Sequence, residues 1–134
     1  MAKPQFDAKK VTDFWLTEAE EALHVAENLV GSKDYSYALF FGHLAIEKLL
    51  KGMYAHTLKS HAPPIHNLVG LAQLLNLKLS LTKINALARI TTFNIQARYP
   101  DFKRAFRAKC TPTYTSRQMK VIRGIFKWLR SQLP

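Results

Sequence analysis

Three features of the sequence predict an all-α fold, an antiparallel up-and-down bundle of about five helices. Residues 35–58 are apolar around most of a helical circumference. The segments flanking the chain's middle, about 13–30 and the stretch after Thr115, are amphipathic with a helical period, and no stretch reads convincingly as a strand.

The first helix is predicted from about Asp13 to Val30, with Thr12 or Asp13 as N-cap and Gly31 closing it. Trp15, Ala19, Ala22, Ala26 and Leu29 form one stripe, and Glu18, Glu20, Glu21 and Glu27 fall mostly elsewhere. Carboxylates in its early turns would complement the helix dipole. Its small alanines allow close approach of the next helix, and the link Gly31-Ser32-Lys33 forces the pair antiparallel.

The central helix, 35–58, follows Asp34 as a plausible cap. Leu39, Phe40, Ile46, Leu50 and Met53 follow one helical repeat, and Phe41, Leu44, Ala45, Leu49 and Tyr54 fill the adjacent face, so water can lie on no side of it. Among the few polar residues on it, His43, Glu47 and Lys51 recur at i,i+4 spacing, with Lys48 directly after Glu47.

Pro63 and Pro64 define a loop. Leu68 to Leu75 make a short third helix, which His66 caps or orients, and Asn76 to Leu79 a turn. Ser80 caps a fourth helix over about Leu81–Gln96, with Ile84, Leu87, Ala88 and Ile95 inward. Pro100 takes the chain out of that helix at residues 97–101, and residues 102–113 are basic and ambiguous. The last helix is expected after Thr115, which has capping-box spacing to Gln118; Met119, Ile122, Ile125, Phe126, Leu129 and Leu133 cover one side, with Arg117, Lys120, Arg123, Lys127 and Arg130 on the other.

At 134 residues the chain has the length of a single domain, 1–134, with a core over about 13–132. A lone cysteine, Cys110, closes no bridge within the chain, no segment suits a bilayer, and MAKPQFDAKK lacks an apolar region of the secretory kind; the expectation is a cytoplasmic protein with no membrane partner. Charge is segregated. Residues 1–60 carry 7 lysines against 8 carboxylates, and residues 61–134 carry 13 Lys and Arg against Asp101 alone, within a net charge of +11. The second half therefore suits a polyanion: nucleic acid, a nucleotide phosphate or an acidic protein. A merely solubilising surface is the bland alternative.

Trp15 in an acidic first helix, YALFFGHLAIEKLLKGMY at 37–54, PPIHNLVGLAQLL at 63–75 and ARYPD at 97–101 together resemble the HEPN domain, over roughly residues 13–130. The resemblance is most specific at Ala38 to Lys51, His66-Asn67-Leu68 and Arg98-Tyr99-Pro100-Asp101. It implies a helical bundle, usually a homodimer, associated with nucleotide or RNA binding, beside a small nucleotidyltransferase in toxin–antitoxin or defence systems. Many such domains are metal-independent ribonucleases using an Arg followed four to six residues later by a His. Here the last histidine is His66 and the first arginine Arg89, so that motif is absent; the nearest imitation is Arg89 with Asn94, and an amide cannot shuttle a proton as imidazole can.

Candidate sites follow. Arg98 can clamp a phosphate and Tyr99 stack on a base, with Asp101 beside them; alternatively Arg98 and Asp101 brace the helix exit and Tyr99 fills the core. Lys103, Arg104, Arg107 and Lys109 lead into the ladder Arg117, Lys120, Arg123 and Lys127, a track for a phosphate backbone. His43, Glu47 and Lys51 read as a polar seam or dimer contact, and His43 with Glu47 less simply as an acid–base pair. His56, His61 and His66 recur every five residues, but without Cys or nearby carboxylates they make no metal site, and no cofactor is expected. The leading function is a nucleotide- or nucleic-acid-binding module, silent catalytically on its own, working with a nucleotidyltransferase. Two alternatives stand: a divergent dimeric ribonuclease using Arg89, Asn94 and Arg98, and an interaction module docking an acidic partner.

Overall fold

The computed structural model describes residues 5–134; the first four residues of MAKPQFDAKK lie outside it. Six helices make up the described chain, with no strand: α1 Ala8–Gly31, α2 Tyr35–Leu58, α3 Leu68–Leu74, α4 Leu81–Gln96, α5 Pro100–Lys109 and α6 Pro112–Ser131. None is long and apolar enough to cross a membrane.

Helix α2 is the hub, with 14 of its 24 residues buried and α1, α3, α4, α5 and α6 all packed against it. Burial on every side is what its nearly continuous apolar surface demands. It runs antiparallel to α1, and Ala19, Ala22 and Ala26 lie buried in the contact. Two glycines set the closest approaches. A Cβ on Gly52 would lie 3.0 Å from Trp15 Cβ, and one on Gly42 2.6 Å from Ile122 Cδ1 on α6. Leu39, Ile46, Leu49, Leu50, Leu71, Leu87, Ile90, Met119, Ile122 and Leu129 are fully enclosed around this axis.

Several boundaries differ from the sequence reading. Helix α1 begins five residues earlier than expected, because Asp7 rather than Thr12 or Asp13 caps it, accepting from Lys10 N at 3.1 Å. Its first turn consequently holds no acid, so the glutamates do not compensate the dipole there. Its C-terminal turn is closed by Lys33, in the left-handed region at φ 67°, not by Gly31; Asp34 N bonds Leu29 O and Lys33 N bonds Val30 O. Asp34 sits at the N-cap of α2 without a side-chain cap bond.

In α4, Ala88 and Ile95 face outward, and the inner face is Leu87, Ile90, Phe93, Asn94 and Ala97. The basic stretch 102–109 is helical: Pro100 both ends α4 and starts α5 at a position where its missing amide costs nothing. Asp101 in the first turn and Arg107 and Lys109 in the last complement the α5 dipole, and Phe106 anchors it on Phe93, ring centroids 5.6 Å apart. Helix α6 starts at Pro112 behind Thr111, whose hydroxyl accepts from Tyr114 N. Thr115 and Gln118 form no capping box; both point into the interior, where Thr115 Oγ1 and Gln118 Oε1 lack partners among the described residues.

Candidate functional site

His43, Glu47 and Lys51 are all buried on one face of α2. Glu47, 5% exposed, accepts from Lys51 Nζ at 3.2 Å through Oε2 and from His66 Nδ1 at 2.8 Å through Oε1. His43 Nε2 lies 3.2 Å from the carbonyl oxygen of His66 and 3.7 Å from Glu47 Oε1. A carbonyl only accepts, so Nε2 carries the proton, and the enclosed Nδ1 is left without a partner among the described residues. His43 is thus neutral, its pKa held below 6.5 first by burial, with the charges of His66 and Arg98 acting in the same sense against the His66 carbonyl and Glu47. Lys51 also lies 5.7 Å from the Trp15 ring centre.

His66 is therefore the fourth member of this cluster. Of the two roles expected of His66, capping or orienting α3, the capping belongs to Asn67, whose side chain accepts from Gly70 N. The preceding imidazole is free to turn back onto α2, and Thr91 of α4 anchors the segment by accepting from Leu68 N. Nothing local in the sequence links His66 to Glu47, 19 positions away.

At the α4–α5 corner, Arg98 Nε donates to Asn94 O at 3.1 Å, and the guanidinium stands 5.7 Å from both the Phe40 and Tyr99 ring centres. Tyr99 is 51% exposed and does not fill the core. The bond to Asn94 O ties Arg98 to the last turn of α4, and among the described residues no ion pair joins Arg98 to Asp101. Ile95 and Phe102 are also exposed here. Arg89 and Asn94 do not converge: Arg89 is on the surface, Asn94 is buried, and five residues of helix turn them to different faces.

Lys103, Arg104 and Arg107 line an open concavity of about 370 Å³ with Pro100. Lys103 Nζ lies 5.3 Å from the Tyr37 ring centre, and Lys103, with Arg107 adding to it, holds the Tyr37 hydroxyl below its ordinary 10.0. On α6, Arg117, Lys120 and Arg123 line a second open concavity of about 610 Å³. Arg123 is engaged by Glu27 of α1, with Nη2 to Oε1 at 2.9 Å, and Arg130 lies 4.0 Å from Glu20. The acidic face of the first helix thus meets the basic face of the last within one chain. Arg117, Lys120 and Lys127 are left as the cations of α6 with no carboxylate partner among the described residues.

His56, His61 and His66 go three ways. His66 holds Glu47, His61 packs edge-on against Phe6 at 4.7 Å, and His56 lines a concavity with α1. Among the described residues no cluster of three His, Cys, Asp or Glu could hold a metal ion. Burial pushes the Cys110 thiol up to about 11, so it is protonated at neutral pH.

The class these features define is an all-helical bundle with a buried ionic seam and a cationic outer surface. The chain belongs to the HEPN domain family, which matches residues 12–132. It is also similar in fold to the crystal structure of TT1696 from Thermus thermophilus, with a TM-score of 0.77 at 22% identity, over 91% of this chain and 98% of that one. No curated protein matches the sequence.

Proposed function

We propose that this HEPN protein is a nucleotide- or nucleic-acid-binding module. It is catalytically silent alone and acts as a homodimer beside a nucleotidyltransferase, in a cytoplasmic toxin–antitoxin or defence setting. One observation carries the binding reading: Lys103, Arg104, Arg107, Arg117, Lys120 and Lys127 have no carboxylate partner among the described residues. Such cations hold counterions that a phosphate backbone releases. Tyr99 and Phe102 stand exposed at the head of the same track, where bases can stack. Silence is supported by the missing Arg-to-His spacing and by the divergence of Arg89 from Asn94.

The test is fluorescence anisotropy with a labelled single-stranded RNA across salt, followed by a gel of the same samples. Binding should weaken with a log–log slope of about −0.7 per phosphate contact, with the RNA intact. Cleaved RNA would overturn the silence, and no binding would overturn the module itself in favour of an acidic protein partner.

A further inference from the structure

The first turn of α2 and the second half of α5 flank a concavity of about 320 Å³ that none of the site residues named above explains, apart from Arg107. Its lining is unusual in its donors. Asp34, at the N-cap of α2, makes no side-chain cap bond; its carboxylate instead accepts from Ser32 Oγ at 2.6 Å. The first backbone bond of the helix runs from Ala38 N to Asp34 O, so the amides of Tyr35, Ser36 and Tyr37 have no backbone acceptor. All three residues line the cavity.

A helix terminus alone would say little, but Ser36 adds an independent observation. It is 6% exposed, it lines the cavity, and its hydroxyl makes no hydrogen bond among the described residues. The oxygen is not sealed off as the unpartnered Thr12 Oγ1 and Thr115 Oγ1 are, so this otherwise buried side chain keeps a donor that an incoming oxygen can reach. Arg107 of α5 and Lys33 of the link between α1 and α2 also line the space, so two cationic side chains border it. The chemistry is that of an oxyanion receptor: backbone N–H groups at the positive end of a 24-residue helix, one O–H donor and two cations.

Asp34 is the only acidic residue in the lining, against those two cations. Arg107 lines this cavity and also the open concavity it shares with Lys103 and Arg104. A strand lying along α5 through that more open concavity therefore reaches the less open one at Arg107. Continuous backbone suits the open surface, because two oxygens of a phosphodiester carry carbon. The less open space, with its N–H and O–H donors, suits a group with three terminal oxygens.

We infer that the cavity between the α2 N-terminus and α5 receives a terminal phosphate monoester of a nucleotide or oligonucleotide, held by Ser36 Oγ, the first-turn amides of α2 and Arg107. This rests on the binding reading above and specifies which end of the ligand the protein recognises.

The experiment compares one single-stranded RNA sequence in three forms, with a 5′-phosphate, with a 3′-phosphate and with hydroxyls at both ends, at about 0.15 M salt. One phosphorylated form should bind about tenfold tighter than the dihydroxyl form. Ser36→Ala should cut that advantage to about threefold or less and leave dihydroxyl RNA unaffected, because it removes one donor and no charge. Asp34→Asn should widen the advantage by removing the carboxylate. Competition by a nucleoside monophosphate, but not by the nucleoside, would trace the preference to the monoester itself.

Equal affinity for all three RNA forms, or an advantage untouched by Ser36→Ala, would overturn this site while leaving the binding module standing. Failure of every form to bind would overturn both.

Discussion

Glu47 and His66 are joined by a 2.8 Å bond from Nδ1 to Oε1, and the partners differ sharply in burial, the carboxylate being 6% exposed and the imidazole 58%. Removing the two side chains should therefore have unequal effects. Glu47→Ala leaves the Lys51 ammonium enclosed without its anion and should cost about 3–5 kcal/mol. His66→Ala deletes a group that water can replace and should cost about 1 kcal/mol. Urea denaturation of the two variants and the double variant checks this. Equal losses would mean that the seam does not depend on Glu47.

The same cluster sets a pH dependence. His43 is held below 6.5 by burial, with Glu47, His66 and Arg98 the charged groups facing it. Below about pH 6.5 the unfolded chain takes up a proton at this position that the folded chain does not. Stability from His43 is thus complete above that pH and is lost as pH falls through it toward the depressed folded value. The urea midpoint of the wild type should fall more steeply than that of His43→Gln between about pH 7 and 5, since the amide cannot titrate but can still donate to the His66 carbonyl. Parallel slopes would assign the dependence elsewhere.

Two glycines in α2 should respond in different ways to the same substitution. Alanine in a helix gains about 0.5–1 kcal/mol over glycine. At Gly42 the added methyl meets Ile122 Cδ1, the mobile end of a side chain, so Gly42→Ala should be close to neutral. At Gly52 it meets Trp15 Cβ at 3.0 Å, next to the α1 backbone, which must move. Gly52→Ala should therefore be destabilising by about 1–3 kcal/mol. Thermal unfolding of both variants separates the cases, and a stabilised Gly52→Ala would contradict so tight an α1–α2 contact.

These features were unequally legible in the sequence. Periodicity is a property of one segment, so α2, the apolar side of α6 and the alanine stripe of α1 could be read directly. Pro100 could not, because a proline that ends one helix can also begin the next, and α5 buries too little to show a wide apolar stripe; Phe106 is its one buried residue. Capping signals were misread where two candidates competed: Asp7 against Thr12 and Asp13, and Thr111 against Thr115. In each case the rejected threonine is buried. The site was harder still. His43, Glu47 and Lys51 share a helical face by spacing alone, but the return of His66 and the pairing of Arg123 with Glu27, 96 residues apart, depend on tertiary packing.

That pairing distinguishes the cations of α6 by more than position. Arg123 and Glu27 are 46% and 41% exposed, and the carboxylate offsets the arginine's charge as seen by an approaching phosphate. Lys120 and Lys127 have no such neighbour among the described residues. If the basic face tracks a single strand, Lys120→Ala and Lys127→Ala should each reduce the magnitude of the salt slope by about 0.7. Arg123→Ala should change it less, because it also leaves Glu27 unpaired without altering a free cation. The sharper comparison is Glu27→Gln, which keeps the shape of α1 and releases Arg123. RNA affinity should rise, and the slope should steepen by up to about 0.7. An unchanged slope in Glu27→Gln, together with full sensitivity at Arg123→Ala, would show that the ion pair opens to the ligand.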